Sequence, residues 1–264
     1  MIHSLESFSV VAQNDATDSN NAIHNDDIAQ KLGFAGGLVP GVTVYGYLLR
    51  PLVDFFGEQF LEKGNISARF RRPVYEGENV SVEARVTDEK ADSTETGVTL
   101  TNSEGETCAV AKANFPAEER EVDRPLPAKA PLPESLRPAT PEELKRNPVL
   151  GTLEIKFDSE SGLRFAKGLE DDHEIYTRAA HPAWILRQAN IAIDKNLAVG
   201  PWIHVSSEVH FLGHVLSGET FQVRTQAVKL YEKNGHDYGD FDVAIVTDRT
   251  VMRISHHAIY RMKT

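Results

Sequence analysis

The stretch FRRPVYEGENVSV, residues 70–82, returns later in the chain as FLGHVLSGETFQV, residues 211–223. Both copies follow the pattern Phe-x3-Val-x2-Gly-Glu-x3-Val, and each shared residue of the second lies 141 positions after its counterpart in the first. The apolar run that begins at Gly41 has its counterpart at Pro182, at the same offset. Because a helix start and a strand–turn pattern agree at one offset, the sequence indicates an internal duplication.

Each copy reads as one long helix surrounded by strands. The residues after Gly41 are apolar almost all round, which is typical of a buried helix, and Pro51 is expected to kink or break it. Elsewhere the apolar residues alternate with period two, which predicts strands separated by polar turns. The predicted strands of the first copy cover residues 6–12, 65–74, 79–86, 97–102 and 107–115.

A proline-rich stretch separates the two copies. Residues 116–148 hold eight of the 13 prolines, a composition that favours extended backbone and predicts a linker long enough to cross a domain. Thr140 is expected to cap one helical turn, with Pro141 at its first position. The predicted domains are therefore residues 1–115 and 149–264, joined by this linker.

Composition limits the kinds of protein this can be. A chain of 264 residues with a formal charge of −11 does not suit a nucleic-acid partner, which would want a basic face. It has no apolar run of about 20 residues to span a membrane and no basic segment followed by an apolar core at its start, so we expect it in the cytoplasm. The single cysteine, Cys108, excludes an internal disulfide and a multi-cysteine metal site, and its apolar neighbours predict a buried strand thiol.

The residues that suggest chemistry come just before the first long helix. The run Asp18-Ser-Asn20-Asn21-Ala-Ile-His24 places a carboxylate, amides and an imidazole in a polar turn, and a glycine-rich segment then leads to Gly41. A carboxylate and an imidazole can share one water, one taking a proton while the other gives one. Backbone N–H groups at a helix start stabilise negative charge.

This run resembles the signature of the MaoC-like (R)-specific enoyl-CoA hydratases, Gly-Asp-x-Asn-Pro-(Ile/Leu)-His. Asp18 to Asn20 fits Asp-x-Asn, and the step to His24 is one residue longer than in the family. The long helix with its strands resembles the hot-dog fold, so two copies imply an α+β tandem double hot dog whose sheets pair edge to edge. The second copy lacks the polar run, which implies one site per chain.

The resemblance also implies an activity. Asp18 and His24 would activate a water that adds across a trans-2-enoyl thioester, and the Gly41 N–H would bind the thioester oxygen. Asn20 would orient the water or, with Asn21, cap the short helix. The reaction is that of a lyase of fatty acid metabolism and needs no metal or redox cofactor, because coenzyme A or a phosphopantetheine arm enters as part of the substrate.

Other polar residues are weaker candidates. Arg69 and Arg71 flank Phe70 on a predicted strand, so they would share one face and could receive the phosphates of the substrate. His181, just before the second long helix, has either a pocket or a structural role. His256 and His257 occupy consecutive strand positions, so their rings face opposite sides and cannot bind one metal together.

Two other functions fit the same residues. A thioesterase on this fold also needs a carboxylate near a helix start, and a non-catalytic acyl-thioester-binding subunit would need only the pocket. The ligand in each case is a small acyl thioester. Two double hot-dog chains could also pair into a homodimer.

Overall fold

The computed structural model describes residues 4–16, 19–117 and 124–262. Two long helices pack against one large antiparallel sheet, so the predicted α+β class is confirmed. The helices are α1 (Asp26–Lys31), α2 (Gly41–Phe56), α3 (Phe60–Lys63), α4 (Pro141–Arg146), α5 (Ser159–Gly168) and α6 (Pro182–Asn196). The strands are β1 (Phe8–Val11), β2 (Asn65–Phe70), β3 (Asn79–Glu89), β4 (Thr94–Thr101), β5 (Thr107–Phe115), β6 (Arg137–Pro138), β7 (Leu153–Lys156), β8 (Leu197–Ala198), β9 (Ile203–Phe211), β10 (Thr220–Lys233), β11 (His236–Val246) and β12 (Thr250–Arg261).

The large sheet joins the two copies edge to edge. Its strand order is β1-β3-β4-β5-β2-β9-β12-β11-β10-β7, so the second half repeats the order of the first in mirror image. The two copies are connected by the antiparallel pairing of β2 with β9, which runs from Asn65 opposite His210 to Arg69 opposite Ser206. This pairing uses up one open edge from each copy, as the duplication predicted.

The duplication holds in three dimensions at the same offset. Helices α2 and α6 begin at Gly41 and Pro182, and strands β2 and β9 end at Phe70 and Phe211. The end of β2 comes four residues before the predicted one, at residue 74. The reason is local, because the N–H groups of residues 71 and 72 both donate to the Cys108 carbonyl, at 2.8 and 3.1 Å, and the proline that follows has no N–H to continue the ladder.

The repeated Gly-Glu pair closes the same turn in both copies. Gly77 and Gly218 have φ angles of +75° and +90°, a conformation that glycine adopts without steric cost. The carboxylates of Glu78 and Glu219 each accept a hydrogen bond from the backbone N–H three residues earlier, at 3.0 and 2.7 Å. The pattern therefore recurs because this turn needs both residues.

The two long helices meet within the core. An alanine methyl at Gly46 of α2 would lie 2.6 Å from Leu169 and 3.3 Å from Ala183 of α6, so the missing side chain lets the elements approach. Helix α2 continues through Pro51 to Phe56, so the predicted break there is wrong. None of the helices in the described ranges is long and apolar enough to cross a membrane.

The described part of the linker crosses the sheet. Arg253, which is 2% exposed, donates to the carbonyls of Arg124 at 2.7 Å and Pro125 at 3.3 Å and forms an ion pair with Asp242. Residues 252 and 254 belong to the core, so Arg253 and the linker lie on the opposite face of the sheet. Thr140 caps α4 by accepting from the N–H of residue 143, with proline at the first position, as predicted.

Candidate active site

A cavity of about 270 Å³ lies where the two copies meet. The first copy contributes His24, Gly41 and Phe70 to its wall, and the second copy contributes Trp202 and His204. A neighbouring polar cavity of about 380 Å³ shares four lining residues with it. These are Asn21, His24, Asn190 and Trp202. The predicted catalytic histidine therefore lies in the wall that the two cavities share.

His24 is held in one orientation by its own loop. It ends a 3₁₀ turn, Ala22–His24, which Asn21 caps by accepting from the Ile23 N–H at 3.4 Å. Nδ1 of His24 lies 2.7 Å from the carbonyl oxygen of Leu38. Because a carbonyl can only accept, Nδ1 carries the proton in the neutral ring and Nε2 keeps its lone pair. The imidazole is thus arranged as a proton acceptor.

The surroundings of His24 keep the ring neutral. Burial lowers the pKa of His24 below its ordinary value of 6.5, and the positive charge of Arg187 acts in the same direction. The Leu38 carbonyl and the Asp15 carboxylate act against this and raise the pKa. Since burial is the largest of these causes, the base form persists at neutral pH.

The structure adds a second candidate, Asp15, to the carboxylate that the sequence predicted as the partner of His24. Asp18 lies outside the described residues, so its approach to His24 stays a prediction. Within the described part, Asp15 is the carboxylate whose charge reaches His24. Asp15 accepts from the Thr43 hydroxyl at 2.9 Å and pairs with Arg187 of α6. The sequence pattern did not mark Asp15, because its ion-pair partner, Arg187, belongs to the other copy.

Asn21, rather than Asn20, is the structural amide of the turn. Asn20 is exposed and lines only the polar cavity, whereas Asn21 is 5% exposed. An alignment anchored on Asn21 fits Asn-Pro-Ile-His without the extra residue, and Ser19 then occupies the position of the family's Asp. Asn21 caps the 3₁₀ turn of His24, whereas the short helix α1 is capped by Asn25, so the predicted capping of that helix by Asn20 or Asn21 is wrong.

Gly41 lines the cavity at the first position of α2. Backbone N–H groups in the first turn of a helix have no partner within the helix and can bind an anionic oxygen. The approach there is close, because an alanine methyl at this position would lie 3.0 Å from Nδ1 of His204 and 3.2 Å from the Phe70 ring. The site therefore has an amide with no partner within its own helix, at a position that has room only for glycine.

Only one of the two predicted phosphate-binding arginines lines the cavity. Arg71 lines the cavity beside Arg72, whereas Arg69 lies within β2, opposite Ser206, and is not part of the cavity wall. Because β2 ends at Phe70, the common face of Arg69 and Arg71 stays a prediction. Arg72 forms an ion pair with Glu106 at 3.2 Å.

His181, His256, His257 and Cys108 lie outside the wall of this cavity. His181 is fully buried, caps α6 by accepting from the Ala183 N–H at 3.1 Å and bonds Asp171, so its structural role is confirmed. His256 faces the core and His257 the other side of the sheet, as predicted. Cys108 is buried, and burial raises its pKa.

Sequence reasoning missed the contribution of the second copy. Asn190, Trp202 and His204 complete the cavity, and the Asn190 side-chain oxygen is buried with no hydrogen-bond partner among the described residues. Asp194 lines the polar cavity, where burial raises its pKa to about 6 and the Trp202 indole N–H donates to it at 2.8 Å. These residues carry no local signal, because they become neighbours of His24 only when the copies dock.

Fold and cavity together define a double hot-dog protein. Residues 59–109 match the model of the thioesterase superfamily. The whole chain superposes on 95% of a Chloroflexus aurantiacus protein assigned as a MaoC domain dehydratase, with a TM-score of 0.73 and 11% identity. No curated protein matches the sequence.

Two further solved structures have the same fold. A Lactobacillus plantarum protein assigned as an oleoyl thioesterase has a TM-score of 0.59 and 11% identity, over 99% of this chain and 98% of that one. A Mycobacterium tuberculosis protein described as having a double hot-dog fold has a TM-score of 0.61 and 15% identity, over 97% and 96% of the two chains. At these identities the likeness establishes the fold, and dehydratases and thioesterases both occur on it.

Proposed function

We propose that this chain is a hydratase that interconverts trans-2-enoyl and 3-hydroxyacyl thioesters. The observation that carries the proposal is that His24, with Nε2 left as an acceptor, and Gly41, the first residue of α2, lie in one cavity wall. Hydration needs a base for the water and a donor for the oxygen that becomes negative. Both requirements are met by neutral groups of the first copy.

In this mechanism His24 Nε2 takes a proton from water as the oxygen bonds to C3 of the enoyl group. The C2=C3 electron pair moves toward the carbonyl, whose oxygen gains negative charge and is stabilised by the Gly41 N–H. The proton held by His24 Nε2 then bonds to C2, which completes the addition of one water and restores the neutral imidazole. Asp18 is the predicted partner in this proton transfer, and the charge of Asp15 supports a protonated His24.

The cavity suits a thioester with a short acyl group. Its apolar wall includes Ile23, Phe34 and Val44, which would contact the acyl chain, and Arg71 stands with Arg72 in the same wall, where phosphates could bind. Coenzyme A or a phosphopantetheine arm would therefore enter as part of the substrate.

A thioesterase is the second candidate, because residues 59–109 match the thioesterase superfamily. It would use the same Gly41 amide for the tetrahedral oxyanion, while His24 activates a water that attacks the thioester carbon and releases the thiol. The two reactions differ in their products, so product mass separates them.

The test is incubation of the protein with trans-2-enoyl-CoA esters of increasing chain length. We expect the ester to gain the mass of one water, and His24→Ala to lose this activity while keeping its thermal midpoint. Asp18→Asn and Asp15→Asn identify the carboxylate partner. Release of free coenzyme A would assign a thioesterase instead, and unchanged esters across the panel would contradict both enzyme proposals.

A further inference from the structure

A buried histidine pair of the second copy lies directly behind the cavity. His204 is 7% exposed and His256 is 1% exposed, and their ring centres are 4.3 Å apart. The hydroxyl of Ser207 joins them, at 2.8 Å from Nε2 of His204 and 3.0 Å from Nδ1 of His256. The result is a continuous hydrogen-bonded chain of imidazole, hydroxyl and imidazole.

The His204 end of this series of hydrogen bonds points to the start of α2. Nδ1 of His204 is buried and has no hydrogen-bond partner among the described residues, and it would be 3.0 Å from a methyl group at Gly41. The His204 ring packs edge-on against Phe70, with 4.8 Å between centres, which fixes its direction. Nδ1 of His204 therefore lies next to the first residue of α2, in the wall of the cavity.

The hydrogen-bond chain decides which nitrogen carries the proton. The Ser207 hydroxyl has one hydrogen, so it donates to one imidazole and accepts from the other. If it donated to His256, the proton of that ring would sit on Nε2, which is buried and has no partner among the described residues. If it donates to His204, the unpaired N–H is Nδ1–H of His204, whose ring lines the cavity beside Gly41, so that a ligand oxygen can accept from it and leave no N–H unpaired. The second arrangement puts a proton on Nδ1 of His204.

Both rings are neutral at physiological pH. Burial and the neighbouring His256 hold the pKa of His204 well below its ordinary value, although the Ser206 carbonyl acts in the opposite direction. Burial lowers the pKa of His256 to about 3. A neutral imidazole N–H can donate to an oxygen that gains charge without bringing a buried charge of its own.

We propose that His204 Nδ1–H is the second donor to the thioester carbonyl oxygen, opposite the Gly41 N–H, and that Ser207 and His256 are positioning residues that hold this proton in place. The inference rests on the proposed acyl-thioester ligand, but not on hydration in particular. Hydration and thioester hydrolysis both place negative charge on this oxygen, so the donor pair would serve either reaction. The degenerate copy would then supply half of the oxygen-binding site.

The test uses the full chain with a ketone analogue of butanoyl-CoA, in which a methylene replaces sulfur, labelled with carbon-13 at the carbonyl. This ligand can be neither hydrated nor hydrolysed, and its carbonyl stretch falls in frequency as hydrogen bonds to the oxygen strengthen. In His204→Asn the amide reaches the position of Nδ1, whereas in His204→Gln it reaches that of Nε2. We expect Asn to keep most of the frequency shift, and Gln and the ring-shaped His204→Phe to lose much of it.

Turnover gives a second measurement. We expect kcat on the active thioester to fall about 10²- to 10³-fold in His204→Phe, with KM changed much less, since one oxyanion donor is removed. Ser207→Ala should lose part of the carbonyl shift, which a purely structural role would not alter. His236→Asn, outside the cavity lining, is the matched control and should behave as the unmodified chain.

The outcomes separate the two proposals. Unchanged carbonyl frequency in both His204→Gln and His204→Phe would overturn the inference, and the Asn and Gln pair decides it if the Phe variant does not fold. Failure of the unmodified chain to bind the analogue would also overturn it. If the carbonyl frequency is shifted in a protein that does not hydrate enoyl-CoA, this result would contradict the hydratase proposal and support the donor pair.

Discussion

The side chain of Asn21 and the backbone of Trp202 exchange two hydrogen bonds across the junction of the copies. Nδ2 of Asn21 donates to the Trp202 carbonyl at 2.9 Å, and the Trp202 N–H donates to Oδ1 of Asn21 at 3.1 Å. The residue that caps the turn of His24 therefore also fixes that turn to the second copy. This contact gives the loop of the first copy its position in the cavity wall.

Asn21→Ala should destabilise the chain and displace His24. The change removes a cap and leaves the buried Trp202 N–H and carbonyl unpaired, at a cost of about 2–4 kcal/mol. Urea unfolding measures this cost, and turnover should fall further than stability alone requires. Asn20→Ala, at the exposed neighbour, should stay within about 0.5 kcal/mol of the unmodified chain. Equal effects of the two changes would contradict this reading of the contact.

Gly41→Ala should impair the site more than the fold. Its methyl group would lie 3.0 Å from His204 Nδ1 and 3.2 Å from Phe70, in the space assigned to the substrate oxygen. We expect a stability cost of about 1–3 kcal/mol and loss of most turnover. Gly168→Ala is the matched control, since that position has open space around it, and it should leave both properties nearly unchanged. Full activity in Gly41→Ala would remove the amide from the mechanism.

The stability of the chain should fall as the pH drops below about 6.5. His256, with a pKa lowered to about 3 by burial, stays neutral in the folded chain while the unfolded chain binds a proton there, and His204 behaves likewise. Each such histidine costs up to about 1.4 kcal/mol per pH unit on the way down from 6.5. Asp194 acts in the opposite direction, because burial raises its pKa to about 6 and the folded chain then binds the extra proton.

The histidine contribution can be isolated by comparing urea midpoints at pH 7.5 and 5.5. In His256→Phe the decline between the two should be smaller by about 1 kcal/mol, since one buried neutral imidazole is gone. His236→Asn should keep the full decline. An identical pH dependence in His256→Phe would show that His256 is not held neutral in the fold.

Arg71 and Arg69 should differ in their effect on substrate affinity. Arg71 lines the cavity and Arg69 does not, so only Arg71→Gln should weaken binding of a coenzyme A ester. Because the side chain is exposed, we expect KM to rise about three- to tenfold, less at high salt, with kcat little changed. Initial rates at two salt concentrations measure this. A similar rise for Arg69→Gln would place the phosphates on the strand face instead.

Most of the fold could be predicted from local sequence patterns. The constant offset of 141 residues recorded the duplication, because the Gly-Glu turn and the start of the long helix each depend on residues within a few positions of one another. The strands and the buried helix followed from local periodicity. The largest error in a strand end, the four residues after Phe70, was set by hydrogen bonds to the distant Cys108 carbonyl.

The sequence also predicted the half of the candidate site that is continuous in the chain, His24 and Gly41, which lie in one loop and at the helix start that follows it. The other half, which comprises Asn190, Trp202 and His204, was decided only by the tertiary structure. These residues stand in a copy that lacks the polar run, and no local pattern marks them. They form a site because docking of two sheets and two helices brings segments more than 140 residues apart into contact, and this geometry is set by packing rather than by spacing along the chain.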